Sequence, residues 1–352
     1  MVFHEEHGRR DGSARGRWRA LAARCLVIAT FLGGLALAAW LITRVGVPAI
    51  AAALHRAGWV GLFAICGVHL IAVTLMGIAW WRLRRAGSPL LYIWGRLVRD
   101  AGADLLSLSA VGGSVMGIRA MAMKGGQAAA VGAATLIDAV IEFAAQIVYA
   151  ACGGIALLWI APHSRLVAVP LLQVAVAAIL VAGYLAPKPA RCRAWLHRWL
   201  ARPSPPFATI AAVRSACFGI SRCQGSLWPS FALHLSAWFV SAAEAWLALR
   251  WMGARLDPAS VLALEALVYT MRSAVFLVPG AIGIQEGAYV VAGAALGLPP
   301  DLALGLSLLK RARDVVLGIP ALAAWHLLEL RIAWRRQGPA AHGADWRTPY
   351  RG

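Results

Sequence analysis

Apolar runs about as long as a bilayer is thick recur along this chain, and they leave few options for its fold. Positions 25–43, 59–81, 130–160, 166–185, 227–249, 260–278, 288–298 and 302–328 are dominated by Ala, Val, Leu, Ile and Gly, and one helix needs roughly 20 apolar residues to cross the hydrocarbon core. With 61% of its 352 residues hydrophobic and 14% charged, a soluble domain of this size would not have enough interior for these side chains. In lipid every backbone N–H and C=O must be satisfied within the chain. The expected fold is therefore an all-α polytopic membrane protein with about eight transmembrane helices. One transmembrane domain is expected over 25–330, between a basic tail at 1–24 and another at 331–352. The run at 25–43 is longer than the apolar core of a signal peptide, so it is expected to stay as the first helix.

The net charge of +19 would suit nucleic acid if it were spread over one face, but it is segmented. Lys and Arg number 6, 7, 7 and 5 in segments 1–24, 82–124, 187–226 and 331–352, against 2, 1, 2 and 0 in segments 44–58, 161–165, 250–257 and 299–300. Positive charge follows the cytoplasmic side of a membrane protein. Both termini and the 187–226 loop are thus expected in the cytoplasm of a bacterial inner-membrane protein, with no nucleic-acid partner. This requires the short run after Pro279 to cross. If it is re-entrant, the C-terminus falls outside.

The 187–226 loop carries its own signal. Trp195, Leu196, Trp199 and Leu200 share one helical face, with Arg191, Arg198 and Arg202 around the other, the pattern of a helix lying in an anionic headgroup layer. Pro203 to Pro206 ends it. The six cysteines lack CxxC spacing and three fall in this loop, so free thiols and no metal site are expected.

Ionisable residues inside apolar runs are costly and mark either a pathway or a structural pair. Asp138 and Glu142 stand four apart in the third run, with Gln146 and Tyr149 continuing their face, and require a nearby arginine or a proton. The fifth run carries His234, Ser241 and Glu244. The sixth carries Glu265, Tyr269 and Arg272, whose acid and guanidinium suit a packing pair or a gate. The last run holds Lys310, Arg311, Arg313 and Asp314. Three cations and one acid cannot be satisfied within one helix, so carboxylates or lipid phosphate are expected from elsewhere.

The stretch 276–300 is apolar yet holds Pro279, Gly280, Gly283 and Glu286. Broken backbone at membrane depth is tolerated where it lines a cavity, and interrupted helices of this kind surround transporter sites. Glu286 is expected to meet the cations of the last run. A similar glycine-broken stretch, 107–126, contains Arg119 and precedes the acidic Asp138 and Glu142, so the two segments carry opposite charges in corresponding places. Two re-entrant or discontinuous segments in an inverted repeat are the expectation.

Pro279, Gly280, Gly283 and Glu286, followed by Lys310, Arg311 and Arg313, resemble the flippase-like membrane family that includes the transmembrane domain of lysylphosphatidylglycerol synthases, and more closely its hopanoid-associated HpnL subgroup. The resemblance runs over roughly 25–330 and implies a site built from those residues. In the first half Ser109 and Ser114 depart from the family pattern, where a proline and an acid are usual. The soluble aminoacyl-transferase domain of full-length synthases is not expected, since 22 residues follow Leu330. No cofactor is expected, and GxxxxGK[ST] does not occur, so movement of a lipid would be passive, ion-coupled or driven by a partner.

The leading expectation is a protein that binds or translocates an amphiphilic lipid, a hopanoid or phospholipid. Alternatives are a lipid headgroup transferase with Glu286 or Asp138 as base, and a scaffold for lipid-synthesis enzymes. The topology is open to labelling: in a cysteine-free background, an impermeant thiol reagent added outside should mark Pro162→Cys and spare Ser204→Cys. Marking of both overturns the arrangement.

Overall fold

The computed structural model describes residues 25, 28–106, 109–125, 127–185, 224–274 and 281–337, and among these it is all-helical with no strand. In chain order the helices are α1 (Ile28–Val45), α2 (Val47–Arg84), α3 (Pro89–Asp104), α4 (Ser109–Met123), α5 (Ala128–Ile160), α6 (Ala168–Leu185), α7 (Gln224–Trp251), α8 (Pro258–Ala274), α9 (Ile284–Ala295) and α10 (Pro300–Gln337). Five of them, α1, α2, α5, α7 and α10, are long and apolar enough to cross a membrane. Their outer surfaces are apolar: Leu32, Trp59, Val60, Phe63, Leu172 and Ile179 are exposed, while Asp138, His234, Glu244 and Glu265 are fully buried. A water-soluble protein distributes these residue types the other way round, and the chain is a multi-pass integral membrane protein.

Helix ends follow local chemistry. Gly46, at φ 97°, joins α1 to α2, and Pro48 lies in the first turn that follows. Gly58, at φ 58°, kinks α2, so the stretch 44–58, expected to be an external loop, is mostly helical. Ser88 caps α3 by accepting from the Leu90 N–H. Asp257 caps α8 by accepting from the Ala259 and Ser260 N–H groups.

The largest departure from expectation is at 82–124. The sequence suggests a cytoplasmic loop there, but the chain forms α3 and α4, which pack on each other, with α3 also against α2 and α10. Arg96, Arg99, Asp100 and Asp104 depress the hydropathy of α3, yet their side chains turn inward, leaving a helix that packs like its apolar neighbours. Gly112, Gly113 and Gly117 lie inside α4 and do not break it. A Cβ on Gly113 would collide with the Arg99 carbonyl and with Ala103, so this glycine brings α4 into backbone contact with α3 where the buried arginines sit.

The core lies where α2, α7, α8, α9 and α10 meet, around Ile65, Leu249, Met252, Leu264, Tyr289 and Leu306. The turn before α9 rests on α1: Gly283, at φ 78°, lies against the backbone of Gly34, and a side chain at either glycine would overlap the other segment. The two-layer contact fixes the start of α9 and therefore Glu286 in its first turn.

Paired substitutions test the packing argument. Gly113→Ala should destabilise the detergent-solubilised protein by about 1–3 kcal/mol through overpacking. Gly67→Ala on α2, with no atom within 4 Å of the added carbon, should be neutral or stabilise by up to about 1 kcal/mol through helix propensity. Thermal unfolding followed by circular dichroism distinguishes them, and equal Tm values would overturn the close approach.

Candidate functional site

Charge inside the bundle is arranged in two groups facing one cavity. In the first, α3 presents Arg96 and Arg99 to the acidic face of α5. Arg96 donates to both oxygens of Glu142, at 2.9 and 2.6 Å, and through Nε to Asp100 at 2.9 Å. Arg99 donates to Asp138 at 3.2 Å and to Glu142 at 3.0 Å. The remaining Asp138 oxygen meets His234 Nε2 of α7 at 2.9 Å. The two carboxylates that repel at i, i+4 on α5 are thus held by guanidiniums from a neighbouring helix, in the bidentate geometry that arginine favours.

The second group is built around α10. Lys310 donates to Glu265 of α8 at 2.5 Å, and the other Glu265 oxygen accepts from the Tyr289 hydroxyl of α9 at 2.7 Å. The ammonium also lies 5.5 Å from the Tyr269 ring centroid, within cation–π range. Arg311 donates to Glu286 at 2.6 and 3.3 Å. Glu286 in turn accepts from the Gly283 N–H at 2.7 Å and from Ser307 at 3.1 Å. Arg313 pairs with Glu244 of α7 and with Asp314, the latter at 2.5 Å. The second Glu244 oxygen meets His69 Nδ1 of α2 at 3.0 Å.

Arg272 ties α3 to the second group. It donates to Asp104 of α3 at 2.9 Å and to Gln285 at 2.5 Å. Gln285 donates to Ser307, which donates to Glu286. The result is a set of four hydrogen-bonded clusters drawn from seven helices, α2, α3, α5, α7, α8, α9 and α10. Among them lies a cavity of about 150 Å³, walled by His69, Arg96, Asp100, Asp104, Glu142, Arg272, Arg313 and Asp314, with Met76, Leu97, Trp238 and Leu317 as apolar wall. A second, apolar cavity of about 340 Å³ lies between α7 and the start of α8, lined by Phe239, Ala242, Trp246 and Leu262.

Several expectations change. The excess positive charge read from α10 does not persist, because Glu265, Glu286 and Glu244 arrive from three other helices to meet Lys310, Arg311 and Arg313. In total eight carboxylates (Asp100, Asp104, Asp138, Glu142, Glu244, Glu265, Glu286, Asp314) are ion-paired with six cations (Arg96, Arg99, Arg272, Lys310, Arg311, Arg313). Glu265 and Arg272 share a helix but take separate partners. Arg119 is not the partner of Asp138 and Glu142: its side chain is mostly exposed and pairs with Glu329 of α10. Pro279, Gly280, Trp195, Leu196, Trp199 and Leu200 lie outside the described residues.

The residues missed from sequence are His69, Arg96, Arg99, Asp100 and Asp104. A signal was present for four of them: positions 96, 99/100 and 104 recur at helical spacing and make one charged stripe in an otherwise apolar 16-residue segment. His69, alone in an apolar run, gave none.

Among curated proteins none matches the chain. A family model does, over residues 22–321, which takes in every residue of the four clusters and both cavities. The chain belongs to the family described as the lysylphosphatidylglycerol synthase TM region.

Proposed function

We propose that this protein translocates an amphiphilic lipid, a hopanoid or phospholipid, across the bacterial cytoplasmic membrane by sheltering the headgroup in the charged cavity while the tail stays among apolar surfaces. The observation that carries this reading is the cavity itself: a polar hollow inside a bundle whose outer face suits lipid, large enough for part of a headgroup. Helix α7 offers Ala237, Trp238 and Ser241 to the polar cavity and Phe239, Ala242 and Trp246 to the apolar one. Two faces of one helix thus address the two halves of an amphiphile.

The charge distribution favours hydrogen-bond donors over phosphate. The side chains of Asp100, Asp104 and Asp314 are 32, 30 and 20% exposed, against 25% for Arg272 and 7 and 6% for Arg96 and Arg313, and all three guanidiniums are already paired with carboxylates. A headgroup rich in hydroxyl or amine groups can donate to such a wall. In the first half the short helices α3 and α4 precede the long α5, and in the second the short α8 and α9 precede the long α10. We read this as an inverted repeat, with α3–α4 and α8–α9 as discontinuous membrane segments, about eight crossings and both termini cytoplasmic.

The test is lipid scrambling by the purified chain in liposomes, together with mass analysis of the lipid afterwards. Glu286→Gln leaves Arg311, whose side chain is 25% exposed, without its counter-ion, in the chain of bonds that runs through Ser307 and Gln285 to Arg272 on the cavity wall. The variant should express and stay folded, while translocation falls by roughly tenfold or more, a barrier change of about 1.4 kcal/mol. Unchanged translocation removes Glu286 from the path. A change in headgroup mass would favour a transferase instead.

A further inference from the structure

Among the described residues the charged clusters hold eight carboxylates, of which Asp100, Asp104 and Asp314 line the cavity, against six arginine and lysine side chains. Net charge buried away from water is costly, and such sites take up protons instead. Two histidines stand where the protons would go, each against a carboxylate: His69 on Glu244 and His234 on Asp138.

The two differ in access. The His234 side chain is fully buried, and its Nδ1 has no hydrogen-bond partner among the described residues, so it has no path to water. The His69 side chain is 21% exposed and forms part of the cavity wall. We propose that His69 exchanges a proton with the cavity and thereby couples lipid movement to a proton gradient, an inference that rests on the translocation reading above.

The coupling follows from who shares whom. His69 Nδ1–H donates to Glu244 whether the ring is charged or neutral, so the proton exchanged with cavity water is the one on Nε2, and the bond survives its loss. Glu244 also accepts from Arg313, and Arg313 also donates to Asp314. When the imidazolium is present, Glu244 has two cations and Arg313 is available to Asp314. When Nε2 loses its proton, Arg313 is drawn to Glu244, and Asp314 is left under-neutralised on the cavity wall. A headgroup amine or hydroxyl then takes the vacated place.

Across the cavity the other charged groups are fixed in pairs and do not substitute for Arg313. Arg272 of α8 holds Asp104 of α3, and Arg96 of α3 holds Asp100 and Glu142. On its own helix His69 has Cys66 one turn away, and Tyr269 of α8 lines the same hollow. Neither is a cation that could replace Arg313 beside Asp314. Proton and headgroup therefore occupy the site alternately, and the transport is an exchange.

The experiment uses the full chain in liposomes of phosphatidylglycerol and phosphatidylethanolamine, with acyl-chain NBD-phosphatidylethanolamine as probe and a pH step across the membrane. For one proton exchanged per lipid, a step of about one unit should move the steady-state leaflet ratio by up to roughly tenfold, and reversing the step should reverse the shift. His69→Gln and His69→Asn should both lose the response to the step. Translocation by the parent that ignores the step overturns the coupling and leaves the translocation reading standing.

If the parent moves no probe, translocation of this lipid fails, and the proton claim is decided separately. Isotope-labelled histidine NMR of the full chain in nanodiscs of the same lipids, with the His69 signal identified by its loss in His69→Gln, should show that ring exchanging its proton with the bulk when the buffer is stepped over the range from about pH 5 to 9. A ring that holds one protonation state across that range overturns the proposal.

Discussion

Apart from Asp100 and Asp314, each acid and base of the charged clusters finds a partner on another helix, and that requirement organises the rest of the structure. Removing one member of a buried pair typically costs about 3–5 kcal/mol, because the survivor is left charged without water. Here the pairs are shared. Arg96 serves Asp100 and Glu142, Arg99 serves Asp138 and Glu142, and Arg313 serves Glu244 and Asp314. The sharing fixes helix rotation as well as neutralising charge, since each guanidinium must face two acids at once. Small residues then let the backbones approach closely enough for these reaches to be met, as Gly113 does for α4 on α3.

Much of the fold was legible because lipid simplifies the problem. Long apolar runs announce spanning helices, and α2, α5, α7 and α10 all appear where the runs stand. What could not be read this way was α3. Hydropathy treats its two arginines and two aspartates as evidence of water, whereas in space they neutralise Asp138, Glu142 and Arg272. A hydropathy window sees only neighbours in sequence, and the neutralising groups are 39 to 168 residues away.

The candidate site shows the same division. The acids and bases within apolar runs were visible, and Glu286 does contact Arg311. Their pairing was not visible, since nothing local indicates that Glu265 turns from Arg272 toward Lys310, or that Glu244 collects both Arg313 and His69. A count of charges along one helix therefore gave α10 an excess that the assembled bundle removes.

The position of α10 after α7, α8 and α9 bears on how the protein is made. This helix carries Lys310, Arg311, Arg313 and Asp314, and each charge adds about 2.5–3.5 kcal/mol to the insertion of an isolated helix. It is also the last described helix to leave the ribosome, when Glu244, Glu265 and Glu286 are already within the membrane. Those carboxylates form a waiting template, and α10 enters against partners already in place. Biogenesis and architecture thus share one requirement: a helix costly to insert alone is synthesised when its partners are already in place.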